Sequence, residues 1–289
     1  MNPKRYIFLV LWLATITTFI SQAQPPIKDG AILAAFSVSD STKVYFSQGN
    51  LQYQASSGTW RFAEHQWDEI GTFENKIIEN RGYIDLFQWG TIIEKENHFF
   101  YEIDSIDRNN YVLIEHRVFV GEDDFGILYN VCDVNNKKSK WRMLTIDEWM
   151  YLLTERDDAI EKIGIANVNI TSGFVLLPDR WKIPAGLTFR HGFANDSEME
   201  SSLTYTYRKV NNYSIEEWEK METNGAVFLP CSGYISTDGG DDDNGNYWCY
   251  SIDKTSKEYV YLWISVVNAG FDLEADAKMS VRLVQDVKK

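Results

Sequence analysis

Cysteine is scarce in this chain of 289 residues: there are three, Cys132, Cys231 and Cys249. So small and odd a number excludes a disulfide-built scaffold, and the spacing does not suit a tetrahedral zinc site. Cys231 and Cys249 are the pair that one loop could bring together as a bridge. Histidine is also sparse: His65, His98, His116 and His191 are scattered, and none lies in a His-x-Glu or His-Glu-x-x-His run. A Gly-x-Ser-x-Gly elbow, a phosphate loop and a dinucleotide glycine fingerprint are missing. Catalysis that carries such a signature is excluded, which leaves open only a carboxylate pair without one. Basic charge is short, with 28 Lys and Arg against 42 Asp and Glu, a formal net charge of −14. That balance argues against nucleic acid and anionic membrane surfaces as partners. Long apolar runs are lacking apart from Tyr6 to Ile20, whose 15 residues fall short of the ~20 of a spanning helix. Lys4 and Arg5 precede that run and Ser21-Gln22-Ala23 follow it. The pattern reads as a signal peptide over 1–23, cleaved before Gln24, which makes the protein extracytoplasmic and leaves no transmembrane span in the mature chain.

Aromatic residues, by contrast, are plentiful at 15%. The most informative stretch is Trp141-Arg142-Met143-Leu144-Thr145-Ile146-Asp147-Glu148-Trp149. Thr145 can cap a helix, Glu148 can reach back to the Thr145 amide, and Leu144 and Trp149 are spaced as a hydrophobic staple. Tyr213-Ser214-Ile215-Glu216-Glu217-Trp218 repeats the device at the same offsets. Helices are therefore predicted from Ile146 to Asp157 and from Ile215 to Thr223, the second stopping at Asn224-Gly225. Residues 24–35 read as a linker with an N-terminal strand, and 36–289 as a single domain. Strands are predicted at Ala31 to Val38, then Lys43 to Ser47, Leu51 to Gln54 and Thr59 to Ala63 as a β-meander turning at Gln48-Gly49-Asn50. Gly82 to Gly90 reads as a packed loop or short helical turn. Further strands are expected at 97–103, 111–120, 170–177, 226–230, 247–251, 259–266 and 279–284, with 179–212 irregular. Without βαβ alternation the class is α+β, mostly antiparallel.

Two constellations could bind a ligand. Asp238 to Asn246 is an acidic, glycine-rich loop that reads either as a solvated turn or as a calcium site with Asp241 and Asp243 as oxygen ligands, the closing glutamate of an EF-hand being missing. In Tyr259-Val260-Tyr261-Leu262-Trp263-Ile264, strict alternation puts Tyr259, Tyr261 and Trp263 on one face and the aliphatic residues on the core face. With Tyr247 and Tyr250 nearby, the aromatic face is either a stacking platform or a packed layer.

Gly49 to Tyr53, Trp60 to Ala63, Ile84 to Gly90, the first capped segment Trp141 to Trp149, Val227 to Pro230 with Ser232 to Tyr234, Gly245 to Trp248 and Ser280 to Val284 occur in a distinctive order. As a set they resemble the secreted major paralogous domain proteins of Bacteroidetes and Fibrobacter. Those are similar to the formylglycine-generating (sulfatase-modifying) enzymes and to the C-type lectin-like fold. The resemblance covers most of residues 36–285. It implies two helices flanking a twisted antiparallel sheet, with the first and last strands close together. The enzymes of this kind need two nearby cysteines for copper close to the C-terminus, and Phe271 to Val284 holds none. The calcium-lectin triplets Glu-Pro-Asn, Gln-Pro-Asp and Trp-Asn-Asp are absent as well. Related binding proteins use an aromatic C-terminal surface, which would match Tyr247, Tyr250, Tyr259, Tyr261 and Trp263. The expectation is a secreted or surface, non-catalytic recognition module for a glycan or protein, without a cofactor unless calcium. The alternatives are a sulfatase-modifying-type or other extracytoplasmic enzyme, and a structural or adhesive envelope component.

Overall fold

The computed structural model describes residues 27–54, 59–70, 83–88, 125–128, 140–192, 211–236, 239–241, 245–249, 258–263, 266–270 and 277–288. Both capped helices begin where their side-chain chemistry requires. Thr145 Oγ1 accepts the Glu148 N–H at 3.1 Å, and Glu148 Oε2 accepts the Thr145 N–H at 3.0 Å. Ser214 and Glu217 repeat the exchange at 3.2 and 2.9 Å. The staple is visible in the second copy, where the Tyr213 and Trp218 rings lie 6.0 Å apart. That helix spans Ile215–Thr223 and stops at Gly225, whose φ of +91° needs a residue without a side chain. The first helix ends sooner than predicted, covering Ile146–Met150 before a wide π turn over Tyr151–Glu155. The Arg156 N–H closes that turn on the Tyr151 carbonyl at 2.9 Å. The extra residue per turn rotates the chain, and Arg156 is buried beyond it at 3% exposure.

Around the helices the chain is a sheet-rich α+β protein with several antiparallel sheets. One four-stranded sheet is ordered Asn212–Tyr213, Ile163–Val168, Thr171–Leu176, Val227–Pro230. Every residue of Ile163–Val168 is buried. Ile163 and Ile165 join one apolar cluster with Trp149, Phe174 and Leu176, while Ala166 and Val168 join another with Trp218, Met221 and Phe228. The second helix thus covers one face of this sheet and the main core covers the other. A second four-stranded sheet is ordered Phe36–Ser37, Lys43–Phe46, Val284–Asp286, Trp141–Arg142. Phe46 sits opposite Val284, so an early strand pairs with a very late one. A seven-stranded sheet collects the C-terminal strands and Leu86–Gln88, and Leu51–Gln54 pairs with Thr59–Phe62 and Tyr83–Ile84 in a three-stranded sheet. Trp149 links two of these layers, with its ring 6.0 Å from Phe46 and 6.2 Å from Tyr247.

Several expectations change. Lys43–Phe46 and Leu51–Gln54 lie in different sheets rather than in one meander. Between them, Ser47 and Leu51 donate to the Leu283 and Val281 carbonyls, each at 2.9 Å, so the late segment takes the hydrogen bonds a hairpin would have used. Gly82 to Gly90 contains the strands Tyr83–Ile84 and Leu86–Gln88, not a helical turn. The strand predicted to run from 259 to 266 is one arm of a hairpin, Glu258–Trp263 against Val266–Gly270. Cys231 and Cys249 are buried thiols that are not bridged to each other. The strands predicted at 97–103 and 111–120, and Cys132, lie outside the described residues. Among the described residues no helix is long and apolar enough to cross a membrane.

Candidate functional site: a charged cleft beside the first strands

Glu258–Trp263 pairs with Gly245–Cys249 in a register that sets Tyr247 opposite Val260 and Trp248 opposite Tyr259. Directly opposed residues share a face of a sheet. Tyr247 therefore belongs with the aliphatic side, and it is wholly buried with Val260 and Leu262. Its hydroxyl donates to the Pro230 carbonyl at 2.9 Å, and burial pushes its pKa well above the usual phenol value. Tyr247, expected to contact a ligand, is instead a core residue, because the register turns it inward. Tyr259 is half-buried and meets Trp248 edge to face at 6.3 Å. Trp248 is itself buried and donates from Nε1 to the Phe87 carbonyl at 2.6 Å. That end of the aromatic face is thus a packed layer. Tyr261 stands opposite Asn246 and Asn268, and Trp263 opposite Val266. Tyr250 lies outside the described residues. Asp241 ends the short strand Gly239–Asp241 opposite Tyr234, and Asp243 lies outside the described residues. Among the described residues no three histidine, cysteine or carboxylate side chains converge as metal ligands.

A buried polar cluster joins the sheets near Tyr247. Arg282, 1% exposed, donates to Gln66 Oε1 at 2.9 Å and to Asn50 Oδ1 at 3.3 Å. Gln66 also accepts the Phe228 N–H at 2.7 Å and donates to the Ala226 carbonyl at 3.1 Å. Burial draws the Arg282 guanidinium down to about 10 and raises the nearby Glu222 carboxyl above its ordinary value. These groups face one another, so their charge is spent on holding Asn50, Gln66 and the last strands in place.

The open site is a cleft of about 550 Å³. Leu33 and Ala34 form one wall, and Lys43 and Tyr45 reach in from the neighbouring strand. The turn Pro178-Asp179-Arg180 and the end of the second helix at Asn224 close it. Alternation along Lys43–Phe46 explains two of these residues: Val44 and Phe46 are fully buried, which leaves Lys43 and Tyr45 on the outer face. Asp179 stitches the walls together. Its N–H donates to the Ala35 carbonyl at 3.0 Å, and its carboxylate accepts the Ser37 N–H, the Ser37 hydroxyl and Lys43 Nζ at 3.0, 2.8 and 2.6 Å. Burial alone would raise the Asp179 pKa, but the Lys43 and Ser37 donors outweigh it and hold the carboxyl below its ordinary 3.8. Arg156 lies behind, its side chain 2% exposed, 3.6 Å from Asp179 Oδ1 and 5.7 Å from the Phe36 ring centroid. Burial draws its guanidinium down to about 10 against the opposing pull of Asp179, and at 3.6 Å that contact is an ion pair longer than a hydrogen bond.

This arrangement can hold a ligand better than it can move a proton. A carboxylate already taken by Ser37 and Lys43, with a lowered pKa, is a poor general base. Arg180 is exposed on the rim and has no ion-pair partner among the described residues. Asp179 and Arg180 open the stretch 179–212 that is expected to be irregular, directly after a strand expected to end at Pro178. The available signal was Pro-Asp directly after an apolar strand, which marks a turn at the sheet edge. Comparison with family models, with curated proteins and with solved structures gives no match.

Proposed function

We propose that the protein is an exported, non-catalytic recognition module of the C-type lectin-like class that binds a glycan or protein ligand at the cell envelope. The observation that carries this reading is the cleft, in which an aromatic ring, an apolar wall and exposed cations meet on a frame fixed by Asp179. Its volume lies within the roughly 300–1,000 Å³ of small-ligand sites. Two capped helices against antiparallel sheets, and the pairing of Lys43–Phe46 with Val284–Asp286, support the lectin-like class. The signal-peptide pattern of residues 1–23 supports export. Recognition is favoured over chemistry because Asp179, Arg156, Glu222 and Arg282 are all engaged inside the frame.

The cleft replaces Tyr247 and Tyr259 as the main contact surface, since one ring is core and the other is packed on Trp248. A glycan array and a panel of envelope proteins probed with the wild type, Tyr45→Ala and Tyr261→Ala/Trp263→Ala test the assignment. Loss of binding in Tyr45→Ala, with thermal unfolding still cooperative, is expected. Loss only in the double variant would move the site to the strand Glu258–Trp263. Oxidation of a cysteine-containing sulfatase peptide under copper and oxygen would make the protein an enzyme instead.

A further inference from the structure

We propose that the cleft takes a sugar bearing a carboxylate, an acidic oligosaccharide, with Arg180 and Lys43 as its anion contacts. The proposal rests on the recognition reading above and gives its ligand a chemical class. Around the cleft one carboxylate, Asp179, is answered by two cations, Lys43 and Arg156. Arg180 adds a third cation with no described partner. This local excess of positive charge stands on a chain whose formal net charge is −14. A cation-rich rim on so acidic a protein is the place where an anion is drawn in rather than repelled.

The donors have capacity to spare. The Lys43 side chain is 51% exposed and spends one short contact on Asp179, whereas an ammonium carries three N–H groups. The planar fork of Arg180 suits a carboxylate by two parallel hydrogen bonds. The second helix ends at the cleft, and its negative end would oppose an anion if its carbonyls were bare. They are not bare: Met221 O accepts the Asn224 and Ala226 N–H groups at 3.0 and 3.1 Å, and Glu222 O accepts the Gly225 N–H at 2.7 Å. The Asn224 amide nitrogen donates to the Lys220 carbonyl at 2.8 Å, which leaves its oxygen to accept from a sugar hydroxyl. Glu222, the nearest acid on that helix, is turned inward toward Gln66. Tyr45 supplies a flat ring and Leu33 and Pro178 an apolar floor, the surface on which the C–H face of a sugar ring packs.

The test is a binding titration of the full chain with an oligogalacturonate, its carboxyl-reduced neutral counterpart and a polyglutamate peptide. The acidic sugar is expected to bind about tenfold more tightly than the neutral one and to weaken with added salt. Arg180→Glu, at an exposed position, should weaken it about tenfold or more, and Arg180→Lys should recover part of the loss. Equal affinity for the reduced sugar, or no effect of Arg180→Glu, overturns the carboxylate contact. Preference for polyglutamate overturns the sugar. If neither sugar binds while Tyr45→Ala still abolishes capture of another ligand, this inference fails and the recognition reading stands. Binding lost only in Tyr261→Ala/Trp263→Ala rejects this inference and moves the recognition site to Glu258–Trp263, and absence of wild-type binding to the sugars, the glycan array and the protein panel alike rejects both.

Discussion

Ile170 is the clearest case of a residue at odds with its backbone. It sits at the tip of the hairpin between Ile163–Val168 and Thr171–Leu176, with φ of +72° and 90% of its surface exposed. Asn169 beside it has φ of +46°. Two such residues make the mirror-image turn that matches strand twist, and Asn-Gly is its preferred pair. An L side chain in the left-handed region costs about 1–2 kcal/mol, and a β-branched one is a rare occupant. Exposure recovers none of that cost by burial. Ile170→Gly is therefore expected to raise stability by about 1 kcal/mol, read as a higher urea midpoint at unchanged slope. A lower midpoint would show that the isoleucine is held by contacts that its exposure conceals.

The caps show how a local pattern becomes an element. Both helix starts follow from cap, glutamate and tryptophan at fixed offsets, and they were legible in the sequence because capping is short-range chemistry. The two caps differ in what else they hold. Glu148 accepts two hydrogen bonds from Arg142, at 2.6 and 2.8 Å, and Arg142 reaches on to Asp286 at 2.8 Å. Glu217 has no such partner among the described residues. Glu217→Ala should cost about 1 kcal/mol, the worth of half a capping box. Glu148→Ala should cost about 1 kcal/mol more, because it also releases a charged pair. Thermal unfolding of the two variants side by side reads the difference, and equal losses would reduce the Arg142 contact to decoration. Strands were legible where one face meets the core, as at Lys43–Phe46. Ile163–Val168 was not, since it is buried throughout and its Gly164, Ala166 and Asn167 interrupt the run of large apolar residues that marks the equally buried Val227–Pro230. Tyr247 was misassigned for a related reason: its face is decided by cross-strand register, which one strand read alone does not contain. The cleft was the least legible part. Its walls come from residues near 34, 44, 179 and 224, and only the fold makes them neighbours.

Across the whole molecule, Asp179 is where acid should act. Its folded carboxyl pKa lies below the ordinary 3.8. The stability it contributes is complete above that ordinary value and is lost as pH falls through the lower folded one. Asp179→Asn is expected to cost about 2 kcal/mol at neutral pH, because Arg156 is left buried beside a neutral amide. It should also flatten the loss of stability as pH falls below the ordinary carboxyl value of 3.8. Urea unfolding of both proteins across that range checks the slope, and parallel curves would place the acid-sensitive group elsewhere.

The position of Val284–Asp286 between Lys43–Phe46 and Trp141–Arg142 has a consequence for how the chain is made. A polypeptide delivered N-terminus first exposes the edge of Lys43–Phe46, with Ser47 and Leu51 unpaired, long before their partners exist. Until residues 281–286 arrive, those early strands are open to pairing with any passing strand. Assembly must then wait on closing loops that span most of the described chain, a topology that folds slowly.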